Sequence, residues 1–248
     1  MVDELGGFRR AGTVLRWPVG LGLASWRYMW RTSPVHRSDE RGSNDDLPPP
    51  LPQAMTDDRI QTPQQGVGPL FRRRYGVRIE GSSLPAEQLM ARIMQDLNKA
   101  APVEVAVFRK VSGAAGPVAL SDEYVVRMPG PWDGPVRVVA QDATSFRLAT
   151  LRGHLEAGQI EFRVRPEGDA VRFEIESWAT SGSRLANVLY AHIGLTKEMQ
   201  LHMWTHFSGR VARISGGRIR GGVDVLTRRL EQVPGRTPGW LGTGDAAN

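Results

Sequence analysis

The chain has 248 residues, 40% hydrophobic and 23% charged, with 32 Lys and Arg against 26 Asp and Glu. Its net charge of +6 is modest, and its length suits one core of about 150 residues with less apolar segments around it. Without any cysteine, a disulfide framework, a thiolate zinc site, an iron–sulfur cluster and a cysteine nucleophile are all excluded.

Residues 1–37 read as an amphipathic segment in which Trp17, Trp26 and Trp30 are punctuated by Arg9, Arg10, Arg16, Arg27 and Arg31. The longest uncharged run, residues 17–26, is far short of the roughly 20 apolar residues that a spanning helix needs. Arg16 interrupts what a secretory signal would require, and Pro18, Gly20 and Gly22 weaken a helix. Such a segment suits a bilayer interface, with rings at headgroup depth and guanidinium groups on anionic lipid; the alternative is a Trp face packed on the chain's own domain. A cytoplasmic protein, peripheral at a membrane, is the expectation.

Residues 38–66 are polar and then Pro-rich, through Pro48-Pro49-Pro50-Leu51-Pro52. They predict a semi-rigid, extended linker with too little apolar surface to offset its ordering entropy. Residues 216–248 read as a basic Gly- and Arg-rich tail. Between them, residues 67–215 form the predicted domain.

That domain opens with a strand at residues 71–80. A helix follows, with Ser82 or Ser83 as its cap, Pro85 in its first turn and a buried stripe of Leu89, Met90, Ile93, Met94 and Leu97. Six strands come next, near residues 103–111, 123–128, 136–141, 145–152, 159–165 and 171–178. The last two alternate cleanly, Ile160, Phe162 and Val164 against Glu161, Arg163 and Arg165, and Val171, Phe173 and Ile175 against Arg172, Glu174 and Glu176. Period-two alternation and short turns predict antiparallel neighbours in a sheet with one dry and one wet face. A long helical pattern over residues 183–214 closes the domain. It breaks at Gly194, Thr196 can cap its second part, and Met199, Met203, Phe207, Val211 and Ile214 form one stripe. A curved antiparallel sheet of about seven strands must cover its apolar face, and this C-terminal helix is the long amphipathic element that can do so. The fold class is therefore α+β, a sheet wrapped around a helix with a pocket between them.

This order is that of the helix-grip fold of the START and birch-pollen-allergen (SRPBCC) superfamily. Ala149-Thr150-Leu151-Arg152-Gly153-His154-Leu155-Glu156-Ala157-Gly158-Gln159-Ile160-Glu161-Phe162 resembles the Gly-Thr-x-x-Gly-His-Pro-Glu-x-Gly-Glu-x-x-Phe stretch of the uncharacterised family "domain of unknown function nineteen-ninety". Residues 173–179 resemble its next strand and Gln200 its helix glutamine. The chain departs from the pattern at Leu155 and Gln159, and the second departure removes a carboxylate. The resemblance implies the fold and an apolar ligand pocket, and no established reaction.

Glu198, His202 and His206 fall at i, i+4 and i+8, a spacing that could gather a zinc ion but lacks the Glu after the first His of a zinc hydrolase helix; the bland reading is a polar face, and no metal or other cofactor is expected. His154 and Glu156, in a Gly-flanked turn, are candidate acid–base residues or turn-formers. Tyr124, Trp132, Phe146, Phe162, Phe173, Met199, Met203 and Phe207 should face inward, lining an apolar cavity or filling a core, with Arg127 or Tyr124 as the orienting polar contact. Arg210, Arg213, Arg218, Arg220, Arg228 and Arg229 form a basic cluster; together with Trp17, Trp26, Arg27 and Trp30, Arg218 and Arg220 suggest an anionic membrane surface. No aromatic interleaving or nucleic-acid motif accompanies them. No Gly-rich phosphate loop and no nucleophile elbow is present. The preferred function is non-catalytic binding of a small apolar or lipid-like ligand near such a surface. The alternatives are a cyclase- or hydrolase-type enzyme using the same cavity, and a partner-binding protein with a filled core.

Overall fold

The computed structural model describes residues 34–128, 133–182 and 195–236, with backbone alone over 195–199. Strands β1 (Val35–Arg41), β2 (Val67–Glu80), β3 (Val107–Ser112), β4 (Glu123–Arg127), β5 (Asp133–Gln141), β6 (Ser145–Thr150), β7 (Glu156–Glu167), β8 (Ala170–Ser181) and β9 (Arg218–Leu230) form one curved, unclosed sheet. Its order is β1-β9-β2-β8-β7-β6-β5-β4-β3. Every pair is antiparallel except β1 with β9. Helices α1 (Ala86–Gln95) and α2 (Leu97–Ala100) follow β2, and α3 (Leu195–Ile214) follows β8.

The alternation read from sequence sets the register. Phe162 lies opposite Ile175 and Val164 opposite Phe173, so their apolar sides share the inner face. Helix α3 lies against that face and buries Leu201, Met203, Trp204, Phe207, Val211 and Ala212. Its apolar side is broader than the predicted stripe. The α+β helix-grip layout stands, and residues 183–194 of the predicted helical stretch, with its Gly194 break, lie outside the described residues. Helix α1 buries Leu89, Met90, Ile93 and Met94 as expected. The serine cap does not form: Ser82 Oγ donates to the Leu84 carbonyl and Ser83 Oγ to the Ser215 carbonyl, tying the start of α1 to the end of α3. Asp96 instead caps α2, accepting from the Asn98 N–H at 3.0 Å.

Three expectations are corrected here. Among the described residues the sheet has nine strands, because the predicted basic tail supplies β9 and the predicted N-terminal and linker segments supply β1. Residues 43–65 are not a free linker; three short 3-10 turns (Asn44–Asp46, Gln53–Met55, Pro63–Gln65) shape them into a strap across the outer face. Hence part of that face is covered, although Arg163 and Arg165 stay exposed on it. Leu51 and Met55 pack against Ile60, Val139, Ala149 and Leu151, and Leu47 packs against Leu70, Trp178, Leu230 and Val233. The Pro-rich stretch brings carbonyls, and outward polar side chains meet them: Gln159 Nε2 donates to Pro49 O (3.1 Å) and an Arg147 terminal nitrogen to Pro50 O (3.3 Å). Ions lock both ends of the strap. Asp46 sits between Arg72 (2.6 Å) and Arg228 (2.9 Å), and Arg137 joins Asp57 (2.9 Å) and Glu123 (2.8 Å).

Candidate functional site

The inner face is apolar along its middle. Phe146 stacks on Phe162 with ring centroids 4.7 Å apart, Phe173 stacks on Phe207 at 5.9 Å, and Trp204 sets its edge to Phe162 at 5.7 Å. Phe146, Phe162, Phe173 and Phe207 are fully buried against one another and α3. Among the described residues, these side chains pack against one another across the sheet–helix interface.

Toward the N-terminal end of α3 the same face becomes polar. Alternation along β2 puts Arg73 on the inner side with Tyr75, Val77 and Ile79, while Arg72 points outward to Asp46. A terminal nitrogen of Arg73 donates to Gln200 Oε1 (3.2 Å), and Gln200 Nε2 donates to Glu156 Oε1 (2.8 Å). A guanidinium can only donate, so Arg73 fixes the glutamine amide with its NH2 group toward the carboxyl. Burial pushes the Glu156 carboxyl above its ordinary range, against the pull of Arg73 and the Gln200 hydrogen bond.

His154 turns the other way. Its Nδ1 accepts the Glu156 backbone N–H at 2.9 Å, which leaves the ring proton on Nε2. The ring lies over Gly134, where a Cβ would sit 3.0 Å from Nε2. Burial lowers the His154 pKa to about 4, so the ring is neutral at pH 7. The side chains of His154 and Glu156 therefore part, one toward β5 and one toward α3. The rest of the 149–162 motif shapes the hairpin between β6 and β7. Thr150 Oγ1 accepts the Gly158 N–H at 2.9 Å, Gly153 takes φ +97°, and a Cβ on Gly158 would run into the Trp178 carbonyl. Gln61 Nε2 clamps the turn from the strap, donating to the carbonyls of His154 (3.2 Å) and Glu156 (3.3 Å). Gln159 belongs to the outer face, where the amide suits the Pro49 carbonyl and a carboxylate would not.

The other predicted residues disperse. Tyr124 is buried, with Lys110 Nζ 5.5 Å from its ring. Arg127 is exposed, on the side of β4 opposite Tyr124, so it is not the orienting contact. Trp132, Trp17, Trp26, Arg27 and Trp30 lie outside the described residues, as do the side chains of Glu198 and Met199. Met203 is buried with Phe207. His202 and His206 are half-buried with ring centroids 4.1 Å apart; among the described residues no three metal-ligating side chains gather. The basic cluster is divided, since Arg228 pairs with Glu40 and Asp46, Arg229 with Glu231, and Arg210 with Glu104, while Arg218 and Arg220 are exposed on β9. Arg73, Gln61 and Trp204 were not singled out from sequence. The signal for Arg73 is its place two residues from both Phe71 and Tyr75, on the core side of a strand.

A helix-grip domain with a part-buried carboxyl–amide–guanidinium cluster at one end of its groove is the class of protein these features define. The chain belongs to the family described as "Domain of unknown function (DUF1990)", whose model matches residues 72–213, more than half of its length. No curated protein matches it. Among solved structures it is similar to a protein from Nitrosospira multiformis (13% identity, 58% of this chain and 95% of that one, TM-score 0.42). It is also similar to norcoclaurine synthase from Thalictrum flavum (10%, 61% and 89%, TM-score 0.43) and to Ara h 8.0201 (10%, 58% and 99%, TM-score 0.41). At these identities and TM-scores the likeness carries no argument about chemistry.

Proposed function

We propose that the chain binds a small ligand at the polar end of the groove, where Glu156 and Gln200 contact it, rather than carrying a lipid through the middle of the domain. The observation that supports this is the Glu156 carboxyl, set on the inner face and aimed by an oriented amide, beside an interior that aromatic side chains fill. Freshly purified full-length protein, examined by native mass spectrometry, should carry a small co-purifying molecule that is lost or reduced in Glu156→Gln. Unliganded spectra from every preparation, or identical ligand content in both proteins, would overturn the proposal.

A second reading makes the same cluster an acid–base site of the cyclase type. It is favoured by the raised pKa of Glu156, which keeps a proton on the carboxyl to higher pH than usual, a state suited to donating it to a bound carbonyl or alkene. If the ligand turns over, its rate should fall as pH rises through the Glu156 pKa, and Glu156→Gln should abolish turnover while retaining some binding. A rate independent of pH across that range would remove the acid role.

The setting near an anionic membrane is supported by the exposed Arg218 and Arg220 alone among the described residues, where no helix is long and apolar enough to cross a bilayer. Co-sedimentation with phosphatidylserine vesicles but not with phosphatidylcholine vesicles is the expected result; equal binding to both removes the electrostatic attraction.

A further inference from the structure

Beyond Gln200, two rows of side chains cross the inner face toward the β1 edge. The register sets Asp39, Thr227 and Arg73 side by side on β1, β9 and β2, and Arg37, Val225 and Tyr75 in the adjoining row. With Leu201 of α3 they line a hollow, partly open to solvent, that has about 20 Å³ of room for water. That space holds roughly one water molecule, or the oxygens of a ligand whose body stays outside.

One donor at this hollow lacks an acceptor. Arg73 is 5% exposed; one of its terminal nitrogens is taken by Gln200, and its buried Nε makes no hydrogen bond. Thr227 is 7% exposed and lines the same hollow. Arg37, Asp39 and Tyr75 each hold interactions of their own and so shape the walls. A buried donor without an acceptor is unfavourable, and an incoming acceptor near the guanidinium relieves it.

We infer that this hollow is a subsite for the carboxylate group of a small organic acid, held by Arg73 and Thr227 with Arg37 at its mouth. A planar carboxylate matches the guanidinium fork. Arg37 and Arg73 against Asp39 leave one net positive charge among the lining residues, which suits a monoanion better than a phosphate group carrying close to two charges. Strands β1 and β9 lie outside residues 72–213, whereas Arg73, Tyr75 and Leu201 lie within them, so the hollow straddles the edge of the part that matches the family. It goes beyond the reading above and requires nothing of Glu156.

The test is thermal unfolding of the full-length chain titrated with sodium acetate, with sodium chloride holding ionic strength constant. The midpoint should rise by about 3 to 6 °C once acetate stands tenfold above its Kd. Thr227→Val and Arg37→Gln, which keep the guanidinium that orients Gln200, should each weaken the apparent affinity, Thr227→Val by roughly tenfold. The inference is overturned if acetate acts no differently from chloride, if both variants respond like the unmodified chain, or if phosphate at equal ionic strength outdoes acetate. Ligand loss from Glu156→Gln in mass spectra is read separately, so the two proposals can fail independently.

Discussion

Glu156 and His154 lie two residues apart and titrate in opposite senses. His154 has its folded-state pKa lowered from 6.5 to about 4 by burial, so between those values the unfolded chain binds more protons and stability is lost as pH falls. The effect is at most about 3 kcal/mol, less where water reaches the ring. Glu156 has its folded-state pKa raised above 4.5, so its contribution is complete at low pH and is lost as pH rises through the folded-state value. Urea midpoints measured from pH 4 to pH 8 should separate the two. His154→Asn, which keeps an acceptor for the Glu156 N–H, should flatten the acid side of the profile, and Glu156→Gln the neutral side. A profile unchanged in His154→Asn would mean that the ring is solvated in the folded protein.

At the scale of elements, the strap is the feature whose strength is least expected from its composition. Asp46 is buried among Arg72, Arg228 and the Ser43 N–H. Burial works to raise its pKa, but the Ser43 N–H and the two guanidinium groups hold it down to about 2. The strap's stabilisation is therefore present above pH 3.8 and is lost as pH falls toward 2. Asp46→Asn should cost about 2 to 3 kcal/mol, below the range for a fully enclosed pair because both arginines keep partial solvent contact. Limited proteolysis should then cut within residues 44–65 faster than in the unmodified chain. Equal cleavage rates would show that Leu47, Leu51 and Met55 hold the strap without the ions.

For the molecule as a whole, stability rests on the aromatic contact between sheet and α3. Phe207 touches both Phe162 and Phe173, with ring centroids 5.3 and 5.9 Å away. Phe207→Ala should cost about 3 to 5 kcal/mol by leaving a dry cavity at the centre of the fold. Benzene should then raise the midpoint of the variant and leave that of the unmodified chain unchanged. If benzene stabilised the unmodified chain equally, an apolar hollow would already exist and lipid carriage would regain its physical basis.

The sequence by itself determined the run of elements from β2 to α3, because burial on one face imposes a period of two on a strand and 3.6 on a helix, and those periods are visible in the residues. It also located the turn around His154 through its glycines. Only the tertiary structure decided what covers each face. A pattern of polar residues such as Arg147 and Gln159 reads as a wet surface, yet proline carbonyls accept a hydrogen bond from each of them, and those carbonyls arrive from about a hundred residues away. For the same reason Arg73 joins Gln200 and Glu156, and β1 joins β9, through contacts between distant parts of the chain. Periodicity says which side chains share a face; the partner that makes the face buried, charged or reactive is set by the path of the chain in space.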